Sequence, residues 1–216
     1  MLDYYSRRVP EYEAVYAKPE RQADLAELHH LVASRFAGRR VLELACGTGW
    51  WTRRIAPVAE SVLATDASEA MLAAARRNCA GLSAVRFRNV DAFALPADLG
   101  PSSGGFDALF AGFLWSHVGR SVLPGFVASL AAAVPGGRFA FTDNLYVDDN
   151  NTPISRTDAD GNGYQQRTLA DGSRHEVMKN FPSAGEIRAV LGPHATEVHV
   201  VELTYYWLAW GRFSAG

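Results

Sequence analysis

Apolar positions along this chain recur with two different spacings, and the two alternate. From Arg21 to Phe36 (RQADLAELHHLVASRF) they fall three and four residues apart, the spacing of one helical face, and Gly38 follows as a stop. Residues 1–20 are aromatic and charged, and Pro10 and Pro19 break any continuous helix there, which predicts a lid-like lead-in. A strand and helix rhythm then sets in. Arg40 to Leu44 reads as a first strand, and the turn CGTGW leads into a helix over about Trp50 to Val58. A second strand runs from Ser61 to Thr65, followed by a helix EAMLAAARRNC capped by Ser68. Ala84 to Arg88 is a third strand, after which NVDAFAL runs into a loop rich in proline and glycine. FDALFAG is a fourth strand, Ser121 to Ala133 a helix, and PGGRFAFTDN a turn and fifth strand.

Such alternation predicts one α/β domain over residues 1–216, a doubly wound, mostly parallel sheet with helices on both faces, because parallel strands need crossover connections. Between Leu145 and Ala184 the rhythm stops. That stretch holds DDNN, DADGNG and an Asp171-Gly172 turn signal flanked by YQQRTL and RHEVMKN, so a β-hairpin is expected, in an insert of a length often used to cap a substrate. A helix around Ser183 to Leu191 restores the pattern, and ATEVHVVEL with TYYWLAWGRF closes it as an antiparallel pair. In open sheets of this kind ligands bind at the carboxyl ends of the strands. Glu43, Asp66, Asp91 and Asp143 all fall at or just beyond such ends.

Composition narrows the class. The chain is 48% hydrophobic and 20% charged, and its 21 basic residues against 23 acidic ones give no long-range attraction to nucleic acid or anionic lipid. A small-molecule partner is expected, with no nucleic acid and no membrane, and a monomer or homodimer. Cys46 and Cys79 are too few for a disulfide scaffold, no apolar run approaches the about 18 residues of a membrane span, and a cytoplasmic protein is expected.

The densest chemical signal is VLELACGTGWWT, Val41 to Thr52. Gly47 and Gly49 permit a tight strand-to-helix turn and close backbone approach to a ligand. The turn departs from G-x-G-x-x-G, with Ala45 at the first position and Thr52 at the last, and a carboxylate at Glu43 suits an ammonium group better than a pyrophosphate. Asp66 is placed to accept from both hydroxyls of a ribose, as in nicotinamide sites too.

These residues resemble motif one and the following acidic positions of the class I S-adenosylmethionine-dependent methyltransferases, well over Arg21 to Arg138 and in outline beyond. The resemblance implies S-adenosylmethionine as cofactor and a seven-stranded sheet of order 3-2-1-4-5-7-6 with strand seven antiparallel. It implies that Glu43, Ala45, Gly47 and Gly49 hold the methionine end and ribose, that Asp66 binds the ribose hydroxyls beside Ala67, and that Asp91 binds the adenine amine between Ala92 and Phe93. Ala111, Gly112 and Phe113 match the site after strand four, and Tyr16, Arg21, Trp51, Met71 and Asn89 complete the expected cofactor set.

For the acceptor, His117 in GFLWSHVG is the candidate base, since histidine exchanges protons near neutrality, and Trp115 is a candidate pocket wall. The insert contributes Tyr146, Arg156, Arg167, His175 and Lys179, and Tyr4, Tyr5, Arg8 and Tyr16 can close over the site from the lead-in. The six histidines lack any metal-binding spacing such as H-E-x-x-H, so no metal is expected. The expected activity is methyl transfer to a small-molecule oxygen, hydroxyl or carboxylate. A small-molecule N-methyltransferase and a noncatalytic S-adenosylmethionine-binding module are the competing readings.

Overall fold

A computed structural model of the protein describes residues 2–100 and 105–215; positions 101–104 of the proline- and glycine-rich loop lie outside the described residues. The first helix, α1 (Leu2–Arg8), runs into a 3-10 helix over Val9–Tyr16. Pro10 is accommodated because it stands in the first turn, where its missing N–H has no partner to lose. Then follow α2 (Gln22–Phe36), β1 (Arg40–Leu44), α3 (Thr52–Ile55), β2 (Ser61–Asp66), α4 (Glu69–Asn78) and β3 (Val85–Asn89). After these come β4 (Ala108–Gly112), α5 (Leu123–Ala133) and β5 (Arg138–Asn144). The insert contains β6 (Arg156–Thr157), β7 (Gly163–Thr168) and β8 (Arg174–Met178), and α6 (Ala184–Leu191), β9 (Ala195–Glu202) and β10 (Tyr206–Phe213) complete the chain. Helix α3 is shorter than its sequence pattern: the turn extends to Trp51, and Pro57 follows closely on the last helical residue.

Seven strands form one sheet in the order β3-β2-β1-β4-β5-β10-β9, with β10 antiparallel to both neighbours and the remaining pairs parallel. Alternate residues of each strand serve opposite faces. Val41, Val62, Ala64, Phe110 and Leu208 pack under α2, whose Leu25, Leu28, Val32 and Phe36 are buried at its helical spacing. Leu42, Leu44, Leu109, Phe139, Phe141 and Trp207 pack on the other face under α5 and α6. Burying each such side chain contributes about 1.5–3 kcal/mol, which is why a helix of modest propensity settles here. At the antiparallel edge a Cβ on Gly211 would stand 1.8 Å from the Glu197 carbonyl oxygen, so only glycine lets β9 and β10 approach this closely.

The insert is a three-stranded antiparallel sheet, β6-β7-β8, in place of a hairpin alone. Asp171 and Gly172 make its β7–β8 turn, with Gly172 at φ +81°. Its far end lies against the strand-four and strand-five ends, where Asn180 donates to the Val118 carbonyl and accepts from Gly163 N–H.

Candidate active site

A cavity of about 590 Å³ opens at the carboxyl ends of β1, β2, β4 and β5, roofed by α1 and the Val9–Tyr16 helix and flanked by β7 and β8. Its floor begins with the turn after β1. Ala45 holds φ +51° and Gly47 φ +56°, the left-handed region, at a cost of roughly 1–3 kcal/mol for the alanine. The turn is pinned from β2: Gly47 N–H donates to Asp66 Oδ2 at 2.9 Å, and Ser68 N–H to Oδ1 at 2.8 Å. Each oxygen of that carboxylate keeps a lone pair for the cavity, and burial raises its pKa. The Tyr12 ring lies over the turn, 3.1 Å from where a Cβ on Gly47 would stand, so a side chain at this position would have to push the ring aside.

Further along, Met71, Val90, Ala92 and Phe93 form an apolar slot with Asp91 at its rim. Asp91 Oδ1 accepts from Phe93 N–H at 2.9 Å, and the Phe93 ring, packed on Phe126 at 5.0 Å between centroids, remains 49% exposed. A diol acceptor at Asp66, a flat apolar slot and an amine acceptor at Asp91 fit a bound adenosyl group.

Of the residues expected from sequence, Tyr16, Ala45, Gly47, Asp66, Ala67, Met71, Asp91, Ala92, Phe93, Gly112, Phe113, His117 and Arg167 line this cavity. Others stand behind it. Glu43 is 1% exposed beneath the turn, where it accepts from the Thr52 hydroxyl at 2.7 Å; burial, against the Thr52 bond, pushes its pKa up to about 8. Gly49 packs on α4, its missing Cβ making room for Cys79 Sγ. Trp51 backs Gly112 and meets Phe110 edge-on. Arg21 lies over Tyr205 and Tyr206 and donates to Asn150. Asn89 donates to the Ala67 carbonyl, and Ala111 is buried in the sheet.

On the acceptor side, Trp115 is core, edge-on to Phe141 and Trp207. Tyr146 is 43% exposed and packs on Phe181, while His175 sits behind Tyr4 and bonds Ser173. The reading of the sequence overlooked Tyr12, Val15, Asn144 and Tyr206, which also line the cavity. Tyr12 left no periodic signal, because Pro10 interrupts the helical pattern and the Val9–Tyr16 segment is a 3-10 helix, in which residues three apart rather than four share a face. Asn144 and Tyr206 left no local signal; they meet through the β5–β10 register.

The closed end of the cavity holds a buried polar network. Lys179 donates to Asp143 Oδ1 at 2.7 Å and to Ser116 Oγ at 2.6 Å, while Ser116 N–H donates to Asp143 Oδ2. Burial works against both charges, but the Lys179 ammonium holds the Asp143 carboxyl below its ordinary range. His117 Nδ1 lies 2.7 Å from the Met178 carbonyl oxygen and Nε2 2.8 Å from the Tyr5 hydroxyl. Burial first and the Lys179 charge second push its pKa down to about 3. An imidazole that titrates near 6.5 unfolded and near 3 folded supports stability fully above about pH 6.5 and progressively less as the pH falls toward 3. Unfolding free energy measured against pH is expected to decline through this window, and His117→Gln is expected to flatten that decline.

No group of three or more His, Cys, Asp or Glu among the described residues is arranged to hold a metal ion, and no described helix is long and apolar enough to cross a membrane.

With this geometry the comparisons agree. A methyltransferase-domain family model matches residues 41–137. A demethylmenaquinone methyltransferase of Clavibacter sepedonicus is 38% identical over 109 residues, 50% of this chain but only 42% of that protein. The solved DhpI-SAH complex is 32% identical with a TM-score of 0.78, covering 99% of this chain and 95% of that one. The DhpI-SAM-HEP complex is 31% identical with a TM-score of 0.77, covering 97% and 94%. The chain belongs to the class I S-adenosylmethionine-dependent methyltransferases. Its cofactor is S-adenosylmethionine, and the nicotinamide reading of the turn is set aside.

Proposed function

We propose that this enzyme methylates an oxygen of a small acid. The carrying observation is unpaired positive charge facing the cavity: Arg8 and Arg167 line it, and among the described residues neither guanidinium has a carboxylate partner, whereas Lys179 beside them is paired with Asp143. Arg8 lies 5.4 Å over the Tyr12 ring, on the side of the Gly47 turn, where it suits the carboxylate of the cofactor's amino-acid end. Arg167 lines the cavity with Tyr4, Tyr5, Arg8 and Lys179, and burial lowers its pKa, a cost that a bound anion offsets.

When bound, the cofactor supplies a sulfonium methyl, an electrophile that requires an in-line nucleophile and no metal. The chain's own task is then to hold the acceptor and exclude water. Asp66, Asp91 and the slot of Met71 and Phe93 hold the adenosyl end, and the turn at Ala45 and Gly47 the methionine end. Tyr4, Tyr5, Tyr12 and Tyr16 cover the top, and the 145–184 insert caps the acceptor side through Arg167, Val177 and Lys179. An oxyanion is already a nucleophile and needs no base, which accords with a His117 whose pKa is too low to take a proton from a phenol or an ammonium. An ammonium acceptor would meet the Arg167 guanidinium, which has no carboxylate partner among the described residues, so the N-methyl reading is disfavoured, and an open cavity beyond the adenosyl slot disfavours a noncatalytic module. The same reading includes a small rather than macromolecular acceptor, a cytoplasmic setting and a monomer or homodimer. The complex of DhpI with SAM and HEP together supports a site that takes a second molecule as well as the cofactor.

The test is methyl transfer from labelled S-adenosylmethionine to a panel of small carboxylic and phosphoryl acids, phenols and amines, read by mass spectrometry. Products are expected from acids. Arg167→Met is expected to lower kcat/KM for the acid roughly 10- to 100-fold, the worth of one hydrogen bond to a charged group, with cofactor affinity unchanged. Methylation of amines alone would overturn the reading.

A further inference from the structure

The directions of two hydrogen bonds at the closed end of the cavity can be assigned from one carbonyl. The Met178 carbonyl oxygen only accepts, so His117 Nδ1, 2.7 Å away, carries the proton. The groups packed around the ring are Lys179, Asp143, Arg167 and Tyr5, and Asp143 is itself committed to Lys179 and Ser116. The ring is therefore neutral, Nε2 carries no proton, and the Tyr5 hydroxyl 2.8 Å away must donate to it. The two rings meet edge to face, 5.6 Å between centroids, which holds the phenol in one orientation. With its proton committed, the Tyr5 oxygen presents only lone pairs to the cavity, next to Arg167 and Lys179, and has no other hydrogen-bond partner among the described residues.

We propose that Tyr5 is the residue that touches the methyl acceptor, accepting a hydrogen bond from a hydroxyl the acid still carries, such as the remaining O–H of a singly ionised phosphoryl group, and that His117 is a positioning residue acting through Tyr5 and not a general base. The inference rests on the acceptor lying at the Arg167 and Lys179 end, as argued above. It assigns a role to a residue of the first helix that no local motif marks. The His117 ring is anchored to β8 through Met178, and Tyr5 comes from α1, so the contact ties the N-terminal segment to the insert beside the acceptor site.

Two measurements test this on the full chain. The first needs no acceptor: nitrogen NMR of histidine-labelled enzyme with S-adenosylhomocysteine is expected to show His117 protonated at Nδ1 and bare at Nε2, with the Nε2 signal moving in Tyr5→Phe. Protonation at Nε2, or no response to Tyr5→Phe, overturns the proposal and leaves the acceptor class untouched. The second is a double-mutant cycle on whichever acceptor the panel yields, neutral ones included. Tyr5→Phe is expected to lower kcat/KM about 10- to 100-fold, chiefly through the acceptor KM. His117→Ala should do the same alone, but change the Tyr5→Phe enzyme by no more than about 2-fold. His117→Gln, whose amide oxygen can replace Nε2 as the acceptor for Tyr5, should regain most of what His117→Ala loses, with no new acid limb in the pH profile. Additive losses, or a His117→Gln enzyme as poor as His117→Ala, would show His117 acting on the acceptor directly. A methylated phenol or amine with the cycle intact would sink the acid reading and keep this one.

Discussion

Asp66→Asn is expected to raise the dissociation constant for S-adenosylmethionine about 100- to 1000-fold, measured by calorimetry, while the chain stays folded. Both carboxylate oxygens are already accepting, one from Gly47 N–H and one from Ser68 N–H. Asparagine has one oxygen for these two donors, so its amide nitrogen must face an N–H and push away either the glycine turn or the start of α4. The same change removes the charge that strengthens hydrogen bonds to a ribose diol, each worth about 1.5–3 kcal/mol. Two such bonds correspond to roughly 10² to 10⁴ in affinity, and the lower part of that range is expected because part of the loss is shared with the turn. An unchanged dissociation constant would take Asp66 out of the ribose site.

Lys179→Met is expected to destabilise the protein by about 3–5 kcal/mol, because it leaves a fully buried carboxylate at Asp143 without its cation. The Ser116 and Asn144 N–H groups still donate to that carboxylate, but they do not neutralise it. The pH dependence should change sign. In the native protein Asp143 is held below its ordinary pKa, so its contribution is present at neutral pH and is lost as the pH falls. Without Lys179, burial outweighs the two remaining N–H bonds and raises that pKa, so the Asp143 contribution should be greatest in acid and fall as the pH rises. Chemical denaturation at several pH values reads both effects. Lys179→Met combined with Asp143→Asn should recover much of the loss, and a single variant as stable as the parent would mean the pair does not matter to the fold.

Most strands were legible because they are marked locally, by an apolar run such as VLEL or FDALFAG and by a nearby turn glycine or proline. The predicted strand at Ser61 to Thr65 and the observed β2 differ by the single residue Asp66. Asp66, Asp91 and Gly47 were legible for a related reason: once strands are parallel, their carboxyl ends share one edge, and a residue just beyond a strand is on that edge whatever else the chain does. Glu43 shows the limit of the rule. It is one residue before the end of β1, and the pleat turns its side chain down onto Thr52, under the turn and away from the cavity. Trp115 fails likewise: it follows β4 as expected, yet its ring is drawn into the core against Trp207.

Sequence by itself therefore determined the layered sheet, the cofactor class and the edge at which chemistry takes place, since periodicity and punctuation act over a few residues. The acceptor end was decided only by tertiary structure. Tyr5 and His117 are 112 residues apart and Lys179 and Asp143 are 36 apart, and they belong to elements with no local tendency to meet. Their contacts follow from how α1 and the three-stranded insert pack on the strand ends. That packing is set by burial and by the exclusion of water from paired charges, which act between residues regardless of their separation along the chain.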